Sequence, residues 1–252
     1  MRRLLLPALV LGGVLGAWEL YVDLGGTNAL VLPAPHAVAS ALYSDRAVLW
    51  SNFLVTAREV VLGIGAGAAL AFALSVAIHF SAVLRRALMP LLIASQAIPI
   101  VLIAPLFLLW LGFGLLPKLA IIALVTFFPV VVTTQAALAA VDPELIKLMR
   151  TFDASRPQVF RRVELPAALP GLFTGAKLAA VFSVIAAVFA EQAGSNSGLG
   201  YLFTIADSQL LAPEAFAAVV VLCLFAIALF ALLALVEHRA LPWAHQSGGT
   251  WK

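Results

Sequence analysis

The chain has 252 residues, 63% of them hydrophobic and only 11% charged, with a formal net charge of +3. Soluble domains carry about a quarter charged residues, so a water-soluble globular protein is excluded, and so modest a charge, clustered in loops, is no nucleic-acid signature. One cysteine, Cys223, and four scattered histidines, His36, His79, His238 and His245, leave no basis for a disulfide framework or a metal site.

The composition predicts an all-α, polytopic membrane protein in one integral domain, residues 1–252, with six transmembrane helices. A span needs roughly 20 apolar residues, and lipid forces such segments to be helical. The candidates are 4–22, 60–80, 88–111, 119–140, 172–190 and 216–236. Met1-Arg2-Arg3 before the first imitates a secretory signal, but no small-residue cleavage site follows promptly, so an uncleaved span is expected. An even number of spans puts both termini on one side. Arg2, Arg3, Arg85, Arg86, the cations of 142–171, Arg239 and Lys252 share that side. Arg46, Arg58 and Lys118 lie on the other, with Lys177 just inside a span. The positive-inside rule makes the cation-rich side cytoplasmic.

The first span carries Gly12 and Gly16, the second Gly63 and Gly67. Small residues four apart let helix backbones approach closely, and both pairs are expected to pack within the subunit. Between these spans, Leu32-Pro33-Ala34-Pro35 predicts a stiff turn into a short helix ending near Tyr43. The third span is the least lipid-like, with Ser95-Gln96-Ala97-Ile98-Pro99 and Ala104-Pro105 in mid-membrane. Prolines free carbonyls, and a glutamine needs a partner or water. Either this is an internal kink or the helix lines a pathway. Trp110, Gly112 and Gly114 mark its external end. The fourth span repeats the theme with Phe127-Phe128-Pro129 and Thr133-Thr134-Gln135.

Residues 142–171 form a polar island with five cations, Lys147, Arg150, Arg156, Arg161 and Arg162, and four acids, Asp142, Glu144, Asp153 and Glu164. Asp142 and Pro143 predict a helix start. Leu145, Leu148, Met149 and Phe152 then share one helical face. Asp153-Ala154-Ser155 breaks the pattern, Ser155 caps a second helix through Val163, and Pro166 and Pro170 are expected to end it. An apolar ridge rimmed by charge is either a solvated connector or a docking element for a soluble partner.

The fifth span ends in Ala190-Glu191-Gln192-Ala193-Gly194-Ser195-Asn196-Ser197-Gly198-Leu199-Gly200. A carboxylate at a membrane boundary either reaches headgroup water or marks a site. The glycines allow a tight re-entrant turn. The last span reads as scaffold, with Trp243 as an interfacial anchor.

Arg150-Thr151-Phe152-Asp153-Ala154-Ser155 and Phe160-Arg161-Arg162-Val163-Glu164-Leu165-Pro166-Ala167-Ala168-Leu169-Pro170-Gly171 resemble the "EAA" loop of binding-protein-dependent ABC importer permeases. Lys147-Leu148-Met149 stands where that family usually shows Glu-Ala-Ala, and Asp153 where it usually shows Gly. The Leu-Pro-x-Pro turn, the Ser-Gln-Ala-Ile-Pro and Phe-Phe-Pro segments and Ala-Glu…Gly-Leu-Gly are similar to permeases of the nitrate, sulfonate, taurine and thiamine-pyrimidine-precursor group. The resemblance implies a type I importer permease in a prokaryotic cytoplasmic (inner) membrane. It implies a homodimer, two ABC ATPase subunits and an extracytoplasmic solute-binding protein. It makes Lys147, Leu148, Met149, Arg150, Phe152, Asp153, Ser155 and Arg161 ATPase-docking residues. Ser95, Gln96, Pro99, Thr133, Glu191 and Gln192 are the pathway candidates, and Gln96 and Glu191 are expected to face the dimer interior.

No catalytic residue and no cofactor are expected on this chain, and ATP and Mg would belong to the ATPase. Gly171-Leu-Phe-Thr-Gly175-Ala-Lys177 misses the phosphate-loop spacing by one residue, and Leu178 follows the lysine. A stand-alone carrier or channel would use the same spans without needing the 142–171 loop. A membrane serine protease built on Ser195 or Ser197 needs a base within hydrogen-bond reach, and neither His238, expected near the opposite face, nor His79, at the cytoplasmic end of its span, is a credible partner.

Overall fold

A computed structural model describes residues 2–28 and 30–246, and every regular element among them is helical. In chain order these are α1 (Arg2–Asp23), α2 (Pro35–Ser44), α3 (Arg46–Phe80), α4 (Ala82–Ser95), α5 (Ile100–Leu111), α6 (Leu115–Ala139), α7 (Pro143–Thr151) and α8 (Arg156–Val159). A π-turn (Phe160–Glu164) leads into α9 (Leu165–Gly194), followed by α10 (Leu199–Ser208), α11 (Ala212–Ala240) and α12 (Pro242–Gln246).

Four rods are long and apolar enough to cross a membrane: α3, α6, the continuous run Arg156–Gly194, and α11. The pair α4 and α5, bent by 104° at its break, is long and apolar enough only when taken together, as a broken span or a re-entrant loop. The first expected span, 4–22, falls within the 22-residue α1, which is not among the candidate spans found in the described residues, so six spans are not reached. The core lies where α6 packs between α3 and α9, with α5, α10 and α11 around it. It is built from small and β-branched side chains: Val60, Ile121 and Ile122 against Ala186, Ala187, Ala190, Ala217 and Ala218. Lipid tails are as apolar as leucine, so helices hold together by close packing. A Cβ on Gly63 would come within 2.5 Å of Ile122, and one on Gly67 within 2.2 Å of Thr126.

The other glycine pair departs from expectation. No atom lies within 4 Å of a Cβ placed on Gly12 or Gly16. The described side chains Leu9, Leu11 and Leu15 are exposed, so no helix among the described residues covers this face of α1.

Three boundaries also differ from expectation. The second span is the later half of α3, which begins at Arg46 rather than near Val60. Its polar residues interrupt the apolar pattern, yet Thr56 and Glu59 are buried by partners far along the chain. The third span is more than kinked: α4 stops at Ser95 and α5 restarts at Ile100 with a 104° change of direction. Pro99 lacks an N–H and disfavours helix at Ile98. Finally, Pro166 and Pro170 do not end a helix but lie within α9, Pro166 in its first turn. The preceding π-turn, in which Leu165 N–H donates to Phe160 O, makes room for a residue that cannot donate. The Leu32–Tyr43 expectation holds, with Pro35 opening α2.

Candidate functional site

Two polar regions stand at opposite ends of the bundle. At one end, α7 projects from the α6–α8 connection. Asp142 Oδ1 accepts from Glu144 N–H at 2.8 Å and Pro143 occupies the first turn, so both start signals operate. Leu145, Leu148 and Phe152 are exposed by 48%, 53% and 76%, and Met149 is half-buried beside them. This is an exposed apolar ridge, with Lys147 and Arg150 exposed along it. Asp153 has φ 55°, the left-handed conformation that turns the chain, and Ala154 N–H closes the helix end on Met149 O at 3.2 Å. Ser155 N–H then donates to Gln158 Oε1 at 2.7 Å in a capping box that starts α8. Arg161 is exposed on the π-turn.

The loop is fastened to the bundle by contacts that the sequence did not reveal. Phe160 is buried against Phe80 and His79, with ring centroids 5.1 and 5.2 Å away. His79 Nε2 meets Glu164 Oε2 at 2.9 Å. The end of α3 and the loop are therefore in direct contact. The signal was faint: one histidine closing an apolar run.

The Asp153 turn yields a direct prediction. Asp153→Gly keeps wild-type thermal stability and loop function, because Gly reaches φ 55° freely. Asp153→Val loses about 1–2 kcal/mol from left-handed strain. Thermal unfolding of the two purified variants checks this, and equal melting of Asp153→Val and wild type would contradict it.

Of the pathway candidates, the structure brings three together. Ser95, Gln96 and Pro99 line a cleft of about 540 Å³ whose walls include Phe107, Trp110 and Phe182. Gln96 is exposed, and Ser95 Oγ donates to Leu92 O at 2.7 Å. Thr133 lies elsewhere, under Gly175 in the α6–α9 contact, where its hydroxyl donates to Pro129 O at 2.8 Å. Gln192 is exposed and apart from this cleft.

Glu191 is 1% exposed within its own chain. It is enclosed by the subunit and presented on no face of it. Thr56 Oγ1 donates to its Oε1 at 2.7 Å, and Gly200 N–H donates to its Oε2 at 2.5 Å. Leu199 N–H donates to Thr56 Oγ1 at 2.9 Å, and Gly198 N–H to Asn52 Oδ1 at 2.8 Å. Three successive N–H groups at the start of α10 are thus satisfied by side chains of α3 and α9. An acidic group is favourable at that positive helix end. Gly198 has φ 110°, and a Cβ there would stand 2.2 Å from the Glu191 carboxyl carbon. The Glu…Gly-Leu-Gly spacing is therefore a carboxylate folded back onto a helix start.

Beside it, Lys118 Nζ donates to Glu59 Oε1 at 2.6 Å and to Ser195 Oγ at 2.7 Å. Ser195 Oγ passes its own proton to Ser197 O at 2.6 Å. In this arrangement Lys118 donates to Ser195 Oγ and does not accept from it, the opposite of what a base for nucleophilic chemistry would do. Asn52, Thr56 and Glu59 escaped the sequence reading as a group. Their spacing of four and three puts them on one face of α3, which was the available signal. Lys177, read as just inside a span, pairs with Glu237 of α11 at 2.5 Å.

Comparison with known proteins places this geometry. Residues 63–241 match the family model described as binding-protein-dependent transport system inner membrane component. The formylaminopyrimidine transport permease protein ThiX of Halalkalibacterium halodurans is 33% identical over 90% of this chain and 90% of its own. The riboflavin transport system permease protein RibX of Chloroflexus aurantiacus is 35% identical over 90% of this chain and 85% of its own. A crystal structure of an amino acid ABC transporter shares the fold, with a TM-score of 0.65 at 15% identity over 79% of this chain and 96% of that one. The protein belongs to the family of binding-protein-dependent transport system inner membrane components, and is a permease subunit of an ABC importer.

Proposed function

We propose that two copies of this chain form a translocation pathway in a prokaryotic cytoplasmic membrane, driven by two separate ATPase subunits docked on residues 142–171. A solute-binding protein delivers the solute at the opposite face. The observation that carries this reading is the exposed ridge of Leu145, Leu148 and Phe152 on a loop fastened to α3 through His79 and Phe160. A ridge of this kind fits a groove, and its fastening lets a push on the loop reach a span. ATP binding closes the ATPase pair, the loop transmits that motion, and the spans open outward. Hydrolysis resets them. The two states differ in the contacts at the loop and along the pathway, as any ligand-driven shift requires. Ser95, Gln96 and Pro99 line that pathway, and Lys147, Met149, Arg150, Asp153, Ser155 and Arg161 complete the docking surface.

The solute we favour is a small nitrogen heterocycle such as a thiamine-pyrimidine precursor, ahead of sulfonate, taurine or nitrate. The permeases for formylaminopyrimidine and riboflavin, both flat heterocycles, support it, as do the aromatic walls around Gln96. Uptake of labelled aminopyrimidine by liposomes holding the permease, its ATPase and its binding protein tests it. ATP-independent uptake would favour a carrier instead.

Sidedness has its own expected result. Single cysteines at positions 86 and 161 are labelled by an impermeant thiol reagent only in inverted vesicles, and those at 45 and 197 in intact cells. The lopsided Lys and Arg distribution is the reason. Labelling of position 161 from outside would reverse the assignment. The terminal Lys252, also expected in the cytoplasm, lies outside the described residues, and so does the side chain of Arg3.

A further inference from the structure

We propose that the cleft between α3, the α5–α6 turn and the α9–α10 turn is a recognition site for a flat, amino-bearing heterocycle of the aminopyrimidine class. It is separate from the cleft around Gln96. The inference rests on the heterocycle reading above and assigns that solute a place on this chain.

The cleft encloses about 720 Å³, ample for one pyrimidine with its substituents. Its floor is Glu59, 3% exposed. One carboxylate oxygen, Oε1, takes the Lys118 ammonium at 2.6 Å. The other, Oε2, is sealed from solvent and has no hydrogen-bond partner among the described residues. Burying a carboxylate oxygen without a donor is unfavourable, so the floor calls for an N–H. Lys118 is already shared between Glu59 and Ser195.

The mouth supplies what an aminopyrimidine needs besides. Asn196 is exposed and its amide makes no hydrogen bond among the described residues. A primary amide sets a donor beside an acceptor, the complement of a ring nitrogen next to an amino group. Phe113 is 82% exposed, and its ring lies 2.9 Å from where a Cβ on Gly194 would stand. It offers an aromatic face for stacking. Arg58 lines the cleft too. A sulfonate or nitrate would be drawn to it, but would use neither ring nor amide.

The test is titration calorimetry of 4-aminopyrimidine into the purified permease in nanodiscs. Saturable binding is expected, at least tenfold weaker in Phe113→Ala and in Asn196→Ala, and not displaced by methanesulfonate. Both side chains are exposed, so these variants keep the fold. Glu59→Gln should abolish binding, but it strips Lys118 of its counter-charge, so the two mouth variants decide. Absence of binding, unchanged affinity in both mouth variants, or displacement by methanesulfonate would each overturn the site. The uptake assay separates this from the substrate reading. Aminopyrimidine uptake by the full transporter without binding in the cleft overturns the site alone. Uptake of a sulfonate and not of aminopyrimidine overturns both.

Discussion

Alanine at Leu148, Met149 and Phe152 together abolishes co-purification of the ATPase while leaving the permease inserted and folded. Apolar anchors that become buried at an interface are worth about 2 kcal/mol or more each, against less for rim charges. A single Phe152→Ala should weaken association by roughly thirtyfold on that scale. Phe152 is 76% exposed, so its removal takes nothing from the subunit's own core. The fastening through Phe160 and the His79–Glu164 contact is untouched by these changes. Hydrolysis in liposomes should consequently lose its dependence on transport before the protein loses stability. Wild-type co-purification of the triple variant would remove the docking role of the loop.

Glu191→Leu gives the second large effect, and it is one of stability. The substitution takes the acceptor from both Thr56 Oγ1 and Gly200 N–H inside a buried site. Each buried donor left unmade costs about 1–3 kcal/mol, so a loss of roughly 3 kcal/mol or more is expected. Glu191→Gln keeps one acceptor oxygen and should recover about half of that. Thermal unfolding in detergent orders the three proteins as wild type, Gln and Leu. A Leu variant that melts with wild type would show that α10 does not depend on this cap. Gly198→Ala should fall near the Leu variant, since it meets both the carboxylate and a φ of 110°.

The loop was the most legible part of the chain. Its caps, its ridge and its left-handed turn are local features, set by residues within a few positions of one another. Asp142, Pro143 and Ser155 act where the sequence put them. The ends of this logic appear at Pro166. A proline normally stops a helix, but the turn before it widened into π geometry, and the register of preceding hydrogen bonds cannot be read from one residue. The bend at Pro99 shows the same limit. A proline announces a disturbance, and only the packing of α4 and α5 sets it at 104°.

Glu191 shows the opposite case. Its cost in hydrocarbon was plain from the sequence, and that cost drew it toward a pathway. Its actual partners are Thr56, 135 positions away, and the N–H of Gly200. The same holds for Glu59 and Lys118, separated by 59 positions. By itself the sequence determined the membrane class, most of the long apolar helices and the capped helices of the 142–171 loop, because apolar length and capping chemistry act over one or a few turns. Tertiary structure alone decided whether each polar residue in a span faces a cleft or a partner. A buried charge takes whichever donor folding brings within about 3 Å, and that distance is fixed by how α3, α6 and α9 pack.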